Sequence, residues 1–135
     1  MSAPVDLVEA AREAMGRAYA PYSQFPVGAA IRAASGRIYR GCNVENAAYP
    51  QGACAEASAI SAMVTAGETA IVEACVIGGG EGLCTPCGGC RQRLREFARE
   101  GVPIHICGPE GWRATFSLGQ LLPYSFGPTN LDIIP

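Results

Sequence analysis

Cys54-Ala55-Glu56, answered farther along by Pro86-Cys87-Gly88-Gly89-Cys90, decides how this chain is read. The two stretches supply three thiols, a carboxylate set between them and a proline. Zinc takes thiolate sulfur, and a catalytic zinc keeps three protein ligands and a fourth position for water. Cys54, Cys87 and Cys90 are therefore the candidate ligands of one Zn2+ per chain. A carboxylate beside the metal, but not bound to it, can carry the proton that such a water gives up. Glu56 is the candidate for that role.

Residues two apart on a helix do not face each other. Cys54 and Glu56 can converge on one metal only at a helix end. Pro50, Gly52 and Ala53 place such an end close to Cys54. Pro86 does the same for Cys87, because proline favours the first helical position. Two helix N-termini are thus expected to aim at one zinc. Their unpaired N–H groups and positive dipole ends lower thiol pKa values. They also offset the negative charge that three thiolates leave over after a divalent ion. Cys84 extends the run to Cys84-x-x-Cys87-x-x-Cys90. With Cys54, that run also admits a closed four-thiolate structural zinc site or an iron–sulfur arrangement. Glu56 and Pro86 stand against both, and the further cysteine and proline of the ferredoxin run are missing.

Outward from these stretches, the spacing of Val5, Val8, Ala11, Met15 and Ala18 predicts a helix over 4–19. The segments 27–31 and 38–44 read as an antiparallel hairpin turned at Ser35-Gly36. Alanine-rich 54–65 reads as a buried helix, closed by Gly67. The apolar run 71–77 suits a buried strand. A helix from Pro86 to Glu100 and a short strand over 103–107 follow. The tail from Thr115 shows no clear pattern. The expected fold is a single α/β domain over 1–135, a layered sandwich with a mixed β-sheet covered by helices on its faces.

The 135 residues suit one core, and 49% are hydrophobic. Only 16% are charged and the formal net charge is −2. All ten basic residues are arginine. Arg91, Arg93, Arg95 and Arg99, interleaved with Glu96 and Glu100, are expected on a solvated or inter-subunit helix face. A polyanion binder should carry a basic excess, so no nucleic-acid partner is expected. No apolar run is long enough for a membrane span. Seven cysteines without a basic, apolar leader point to a reducing cytoplasm. His105, the only histidine, is expected to be structural.

The metal motif matches the known zinc-deaminase signature in its three-cysteine form. Over about Tyr19 to Leu131, the chain resembles the small homotetrameric cytidine deaminases that act on free nucleosides. The resemblance also rests on 22–30 (YSQFPVGAA), 41–49 (GCNVENAAY), 86–92 (PCGGCRQ) and 121–128 (LLPYSFGP). It implies hydrolysis of cytidine and 2′-deoxycytidine to the uridine products and ammonia. Cys54, Cys87 and Cys90 would hold zinc, and Glu56 would shuttle the proton. Asn43 and Glu45 would bond the ribose hydroxyls, and Phe25 would pack on the pyrimidine. Backbone groups at Ala53 and Ala55 would read the amide edge of the base. Tyr49 and Phe126 would act across subunit boundaries of a homotetramer with composite sites. Glu45 without a neighbouring cation favours a nucleoside over a nucleotide. A modified cytosine nucleoside or a nucleoside antibiotic is the nearest alternative substrate.

One position departs from the family pattern. Arginine usually follows the Cys-Ala-Glu triplet there, bonding the zinc thiolates; here it is Ala57. Arg91, beside Cys90, or a helix-end dipole is expected to substitute in part.

Overall fold

The structure, a computed structural model, describes residues 2–131. Met1 and residues 132–135, which the single-domain expectation includes, lie outside the described residues. In chain order the elements are α1 (Val5–Met15), β1 (Val27–Ala33), β2 (Ile38–Cys42), α2 (Ala55–Thr65) and β3 (Ile71–Gly78). α3 (Gly88–Phe97), β4 (Pro103–Gly108), β5 (Gly111–Ser117) and α4 (Leu118–Leu121) complete them, with short 3-10 turns at Tyr49–Gln51 and Pro128–Leu131.

The strands form one sheet in the order β2-β1-β3-β4-β5. β3 and β4 are parallel and joined through α3; the other neighbours are antiparallel. The sheet is therefore mixed, as expected. Strand alternation sends side chains to two covered faces. Ala30, Cys75, Ile77 and Cys107 meet Leu7, Val8 and Ala11 of α1 on one face. Ala29, Ile31, Ile104 and Ile106 meet Ala59, Met63 and Leu94 of α2 and α3 on the other. Leu94 has no exposed surface, and burying such a side chain contributes about 1.5–3 kcal/mol.

α2 lies hard against β2. A Cβ at Gly41 would stand 2.4 Å from the Ala59 amide nitrogen and 2.7 Å from the Ala55 carbonyl oxygen. Only glycine allows that approach, and it sets the height of the N-terminus of α2 above the sheet.

Four local expectations change. α1 ends at Met15 rather than Tyr19, because Gly16 caps it. Tyr19 instead joins the strand edge: its N–H donates to Asn43 O (3.0 Å), and the Glu45 N–H donates to Tyr19 O (2.8 Å). Pro86 precedes the N-cap of α3 rather than opening the helix, because Cys87 occupies the cap. α3 stops at Phe97, since Ala98 turns extended and bridges Ile71. The fourth change is β5, for which no strand was expected. It pairs along the whole of β4, and a capping box between Ser117 and Gln120 turns it into α4.

Candidate active site

Cys54 is the N-cap of α2 and Cys87 the N-cap of α3. Both have extended backbones, and neither side chain caps its helix, so both sulfurs are free to point away from it. Cys90 sits in the first turn of α3 and is fully buried. The three sulfurs lie within 4.8 Å of one another, the only such group of potential ligands among the described residues. Cys54 Sγ and Cys87 Sγ are 3.9 Å apart. Cys84 falls outside this group, which removes the closed four-thiolate arrangement. Three soft sulfur donors and no fourth ligand suit a zinc ion with one open position.

Electrostatics divides the thiols. Burial pushes the Cys54 and Cys90 thiols up. The Cys90 backbone N–H, pointing at the Cys87 sulfur, holds that thiol below its ordinary value. This is the helix-end effect expected from the motif, and it acts on one thiol of the three. Glu56, on the first turn of α2, is 5% exposed, and burial raises its carboxyl pKa.

A cavity of about 260 Å3 opens over this cluster. Its lining includes Phe25, Asn43, Ala55, Glu56, Cys84 and Cys87. A second hollow of about 360 Å3 is lined by Tyr22, Glu45, Asn46, Tyr49 and Gly52. Ser23 lines both, so the two hollows share a wall.

Asn43 and Glu45 are held by the chain itself. Asn43 Oδ1 accepts from the Val27 N–H (2.9 Å), and its Nδ2 donates to Phe25 O (2.9 Å). Glu45 Oε1 accepts from the N–H groups of Tyr22 (2.9 Å) and Ser23 (3.1 Å). Its Oε2 accepts from the Ser23 hydroxyl. These bonds hold the Glu45 carboxyl below the usual range, the Ser23 hydroxyl contributing most. A carboxylate offers about four acceptor sites and an amide group two donors. Each side chain therefore keeps capacity for one further hydroxyl.

The chain matches the family described as cytidine and deoxycytidylate deaminase zinc-binding region over residues 1–106. It is 38% identical over 126 residues to a cytidine deaminase of Sporosarcina psychrophila, covering 93% of both chains. It is 44% identical over 126 residues to a cytidine deaminase of Mycobacterium tuberculosis, covering 93% of this chain and 88% of that one. The crystal structure of a cytidine deaminase from Burkholderia pseudomallei superposes with a TM-score of 0.85 at 39% identity, covering 90% of this chain and 97% of that one. This chain belongs to the cytidine and deoxycytidylate deaminase family.

Within this deaminase-family fold, one cavity gathers Phe25, Asn43, Cys54, Ala55, Glu56 and Cys87. Cys90 completes the sulfur cluster beside it. Ala53 lies just upstream, its N–H and C=O both bonded to Val44 at 2.9 Å. Ala55 is the first residue of α2, so its N–H has no intrahelical acceptor. Glu45 and Tyr49 line the adjoining hollow, where the Tyr22 and Tyr49 rings stand edge to face, 5.9 Å apart. Phe126 lines neither cavity and is 58% exposed.

Of the arginines expected on a solvated or inter-subunit face, Arg93 and Arg99 are exposed with Glu96 and Glu100, whereas Arg91 is half-buried and Arg95 buried. Arg91 is committed away from the sulfurs, to Pro86 O (2.7 Å), Leu121 O (2.8 Å) and Thr85 Oγ1 (3.1 Å). Arg95 is buried and donates to Ser125 Oγ (3.0 Å). The expected substitution by Arg91 therefore does not occur. Arg113 of β5 was also missed; it bonds Gly80 O (2.7 Å) and Gly82 O (2.8 Å), pinning the loop that leads to Cys84. Its signal was the alternation of Trp112, Ala114 and Phe116 after a glycine turn. His105 is buried between Glu73 (2.7 Å) and Thr115 (2.8 Å), well within the polar pairing expected of a structural histidine.

Proposed function

We propose that this protein is a zinc-dependent deaminase that hydrolyses cytidine and 2′-deoxycytidine to uridine and 2′-deoxyuridine, releasing ammonia. The observation that carries the proposal is the buried Glu56 carboxylate on the wall of one cavity, beside a cluster of three sulfurs of which two line that cavity. Cys54, Cys87 and Cys90 would hold one Zn2+, which supplies Lewis-acid activation of water when bound.

Glu56 does the proton work. Its carboxylate takes the proton that the attacking water loses and delivers it to ring N3 of the pyrimidine. The water oxygen bonds to ring carbon four; Glu56 then carries the remaining proton of that added hydroxyl to the exocyclic nitrogen, and the carbon–nitrogen bond breaks to release ammonia as the uridine carbonyl forms. Burial keeps that carboxyl out of bulk water and raises its pKa, which brings it nearer the pH at which it must both accept and donate. Phe25 supplies an apolar wall for the base. The free N–H of Ala55 and the second lone pair of Ala53 C=O are the backbone groups available to the amide edge.

The ribose lies along Asn43 and Glu45, each using its one remaining donor or acceptor. Glu45, with no cation paired to it among the described residues, repels a 5′-phosphate. We take residues 1–135 as one catalytic domain, working in the cytoplasm as a homotetramer. Tyr49, 75% exposed, and Phe126 complete neighbouring sites. Among the described residues, no helix is long and apolar enough to cross a membrane.

The test is ultraviolet monitoring of cytidine with zinc-loaded protein, with ammonia assayed in parallel. Conversion to uridine is the expected result. No conversion by protein holding one zinc per chain would rule out cytidine as the substrate. A strictly monomeric yet active protein, by mass in solution, would refute the roles of Tyr49 and Phe126 across subunits.

A further inference from the structure

We propose that Arg93 is a positioning residue for the metal cluster, supplying through Cys90 the positive charge that position 57 does not provide. The proposal rests on the reading of Cys54, Cys87 and Cys90 as zinc ligands. Three thiolates around a divalent ion carry one excess negative charge, and buried Glu56 stands beside them. A charge in such surroundings needs a partner. α2 offers none, since Glu56 is followed by Ala57-Ser58-Ala59.

α3 carries three arginines, Arg91, Arg93 and Arg95. Arg91 is bound to Pro86, Thr85 and Leu121, and Arg95 to Ser125. Arg93 Nη1 lies 3.9 Å from Cys90 Sγ. The two residues are three apart on the helix, so their side chains share one face. No carboxylate pairs with Arg93 among the described residues. The contact has room because residue 89 is glycine: a Cβ there would stand 3.1 Å from Arg93 Nη1. Gly89 inside the cysteine motif and Arg93 one turn on thus make a single device. A guanidinium donating to a thiolate delocalises its charge without competing for the metal.

The test compares zinc affinity, by competition with a chromophoric chelator, in the parent, Arg93→Ala and Arg93→Lys. Loss of an interaction that supports a ligand typically costs ten- to a hundredfold in metal affinity. Arg93→Ala is expected to lose about tenfold or more, and Arg93→Lys to recover part of it. Melting temperatures of the zinc-free proteins are expected to agree, because Arg93 makes no other side-chain bond among the described residues. A parent that binds no zinc would overturn both this inference and the reading it rests on. A parent that binds zinc no more tightly than Arg93→Ala would overturn the role of Arg93 alone. So would a zinc-free Arg93→Ala protein whose melting temperature falls as far as that of the zinc-loaded one.

Discussion

Cys54 and Cys87 face each other from the N-caps of two different helices, their sulfurs 3.9 Å apart. One comes before β3 and the other after it, so the strand fixes the distance between two ligands far apart in sequence. Replacing either sulfur should therefore abolish the site. Cys87→Ser is expected to reduce bound zinc from one per chain to a small fraction, by elemental analysis after dialysis. A serine variant that keeps a full zinc would remove Cys87 from the ligand set.

Glu56 lines the cavity beside the sulfur cluster without belonging to it, and we propose that it carries the proton. Glu56→Gln keeps the shape of the side chain and removes its capacity to carry a proton. The variant should keep zinc and lose activity by roughly a hundredfold or more. Near-parent turnover of cytidine by Glu56→Gln would assign the proton transfer elsewhere.

The metal-site residues were legible because chemistry restricts them locally. Thiol spacing, a nearby carboxylate and helix-starting residues are all short-range signals. The mixed sheet was legible for the same reason, through the apolar runs at β3 and β4. What escaped depends on contacts distant in sequence. Whether an arginine of α3 faces water is decided by Leu121 and Ser125, which lie about thirty residues on. The charge pattern alone groups Arg91, Arg93 and Arg95, yet they sit two apart on the helix and each has a different partner. β5 was missed although its alternation is regular, because it follows directly on β4 after a short glycine turn. Asn43 and Glu45 were expected to face the ligand. Their own-chain bonds to Phe25, Val27, Tyr22 and Ser23 became visible only once those segments stood side by side.

Asn43 ties down the backbone on both sides of Pro26, accepting from Val27 and donating to Phe25. Asn43→Ala leaves both backbone groups without their partner. A loss of about 1–3 kcal/mol is expected, seen as a melting temperature lower by roughly 3–10 °C. Phe25 would lose its fixed position, so KM for cytidine should rise as well. An unchanged melting temperature would show that the two bonds do not hold this segment.

Glu45 makes a pH-dependent version of the same link. Its carboxyl is held below the ordinary glutamate value of 4.5 by the Ser23 hydroxyl and the N–H groups of Ser23 and Tyr22. A lowered folded-state pKa contributes stability that is fully present above the unfolded value. It is lost as pH falls through the folded value. The parent should therefore lose an increment of stability on acidification that Glu45→Gln never had. Melting curves of the two proteins, apart at neutral pH, should converge on acidification below the ordinary glutamate value. Parallel curves across that range would refute the charged link to Ser23.

Gly41 governs the height of α2, and with it the position of Cys54 at the helix end. A Cβ there meets the backbone of α2 at two points, 2.4 Å from Ala59 N and 2.7 Å from Ala55 O. Backbone inside a helix cannot give way as the tip of a side chain can, so the whole of α2 must lift. Overpacking of this kind costs typically about 1–3 kcal/mol, and Gly41→Ala should melt several degrees lower. The displacement also moves Cys54 relative to Cys87, which α3 holds independently. Zinc affinity should therefore fall in the protein that remains folded. Gly79→Ala, where a Cβ would meet nothing within 4 Å, serves as the control and should leave zinc affinity near the parent value. If Gly41→Ala melts and binds zinc like the parent, the seat of α2 on β2 does not set the geometry of the metal site.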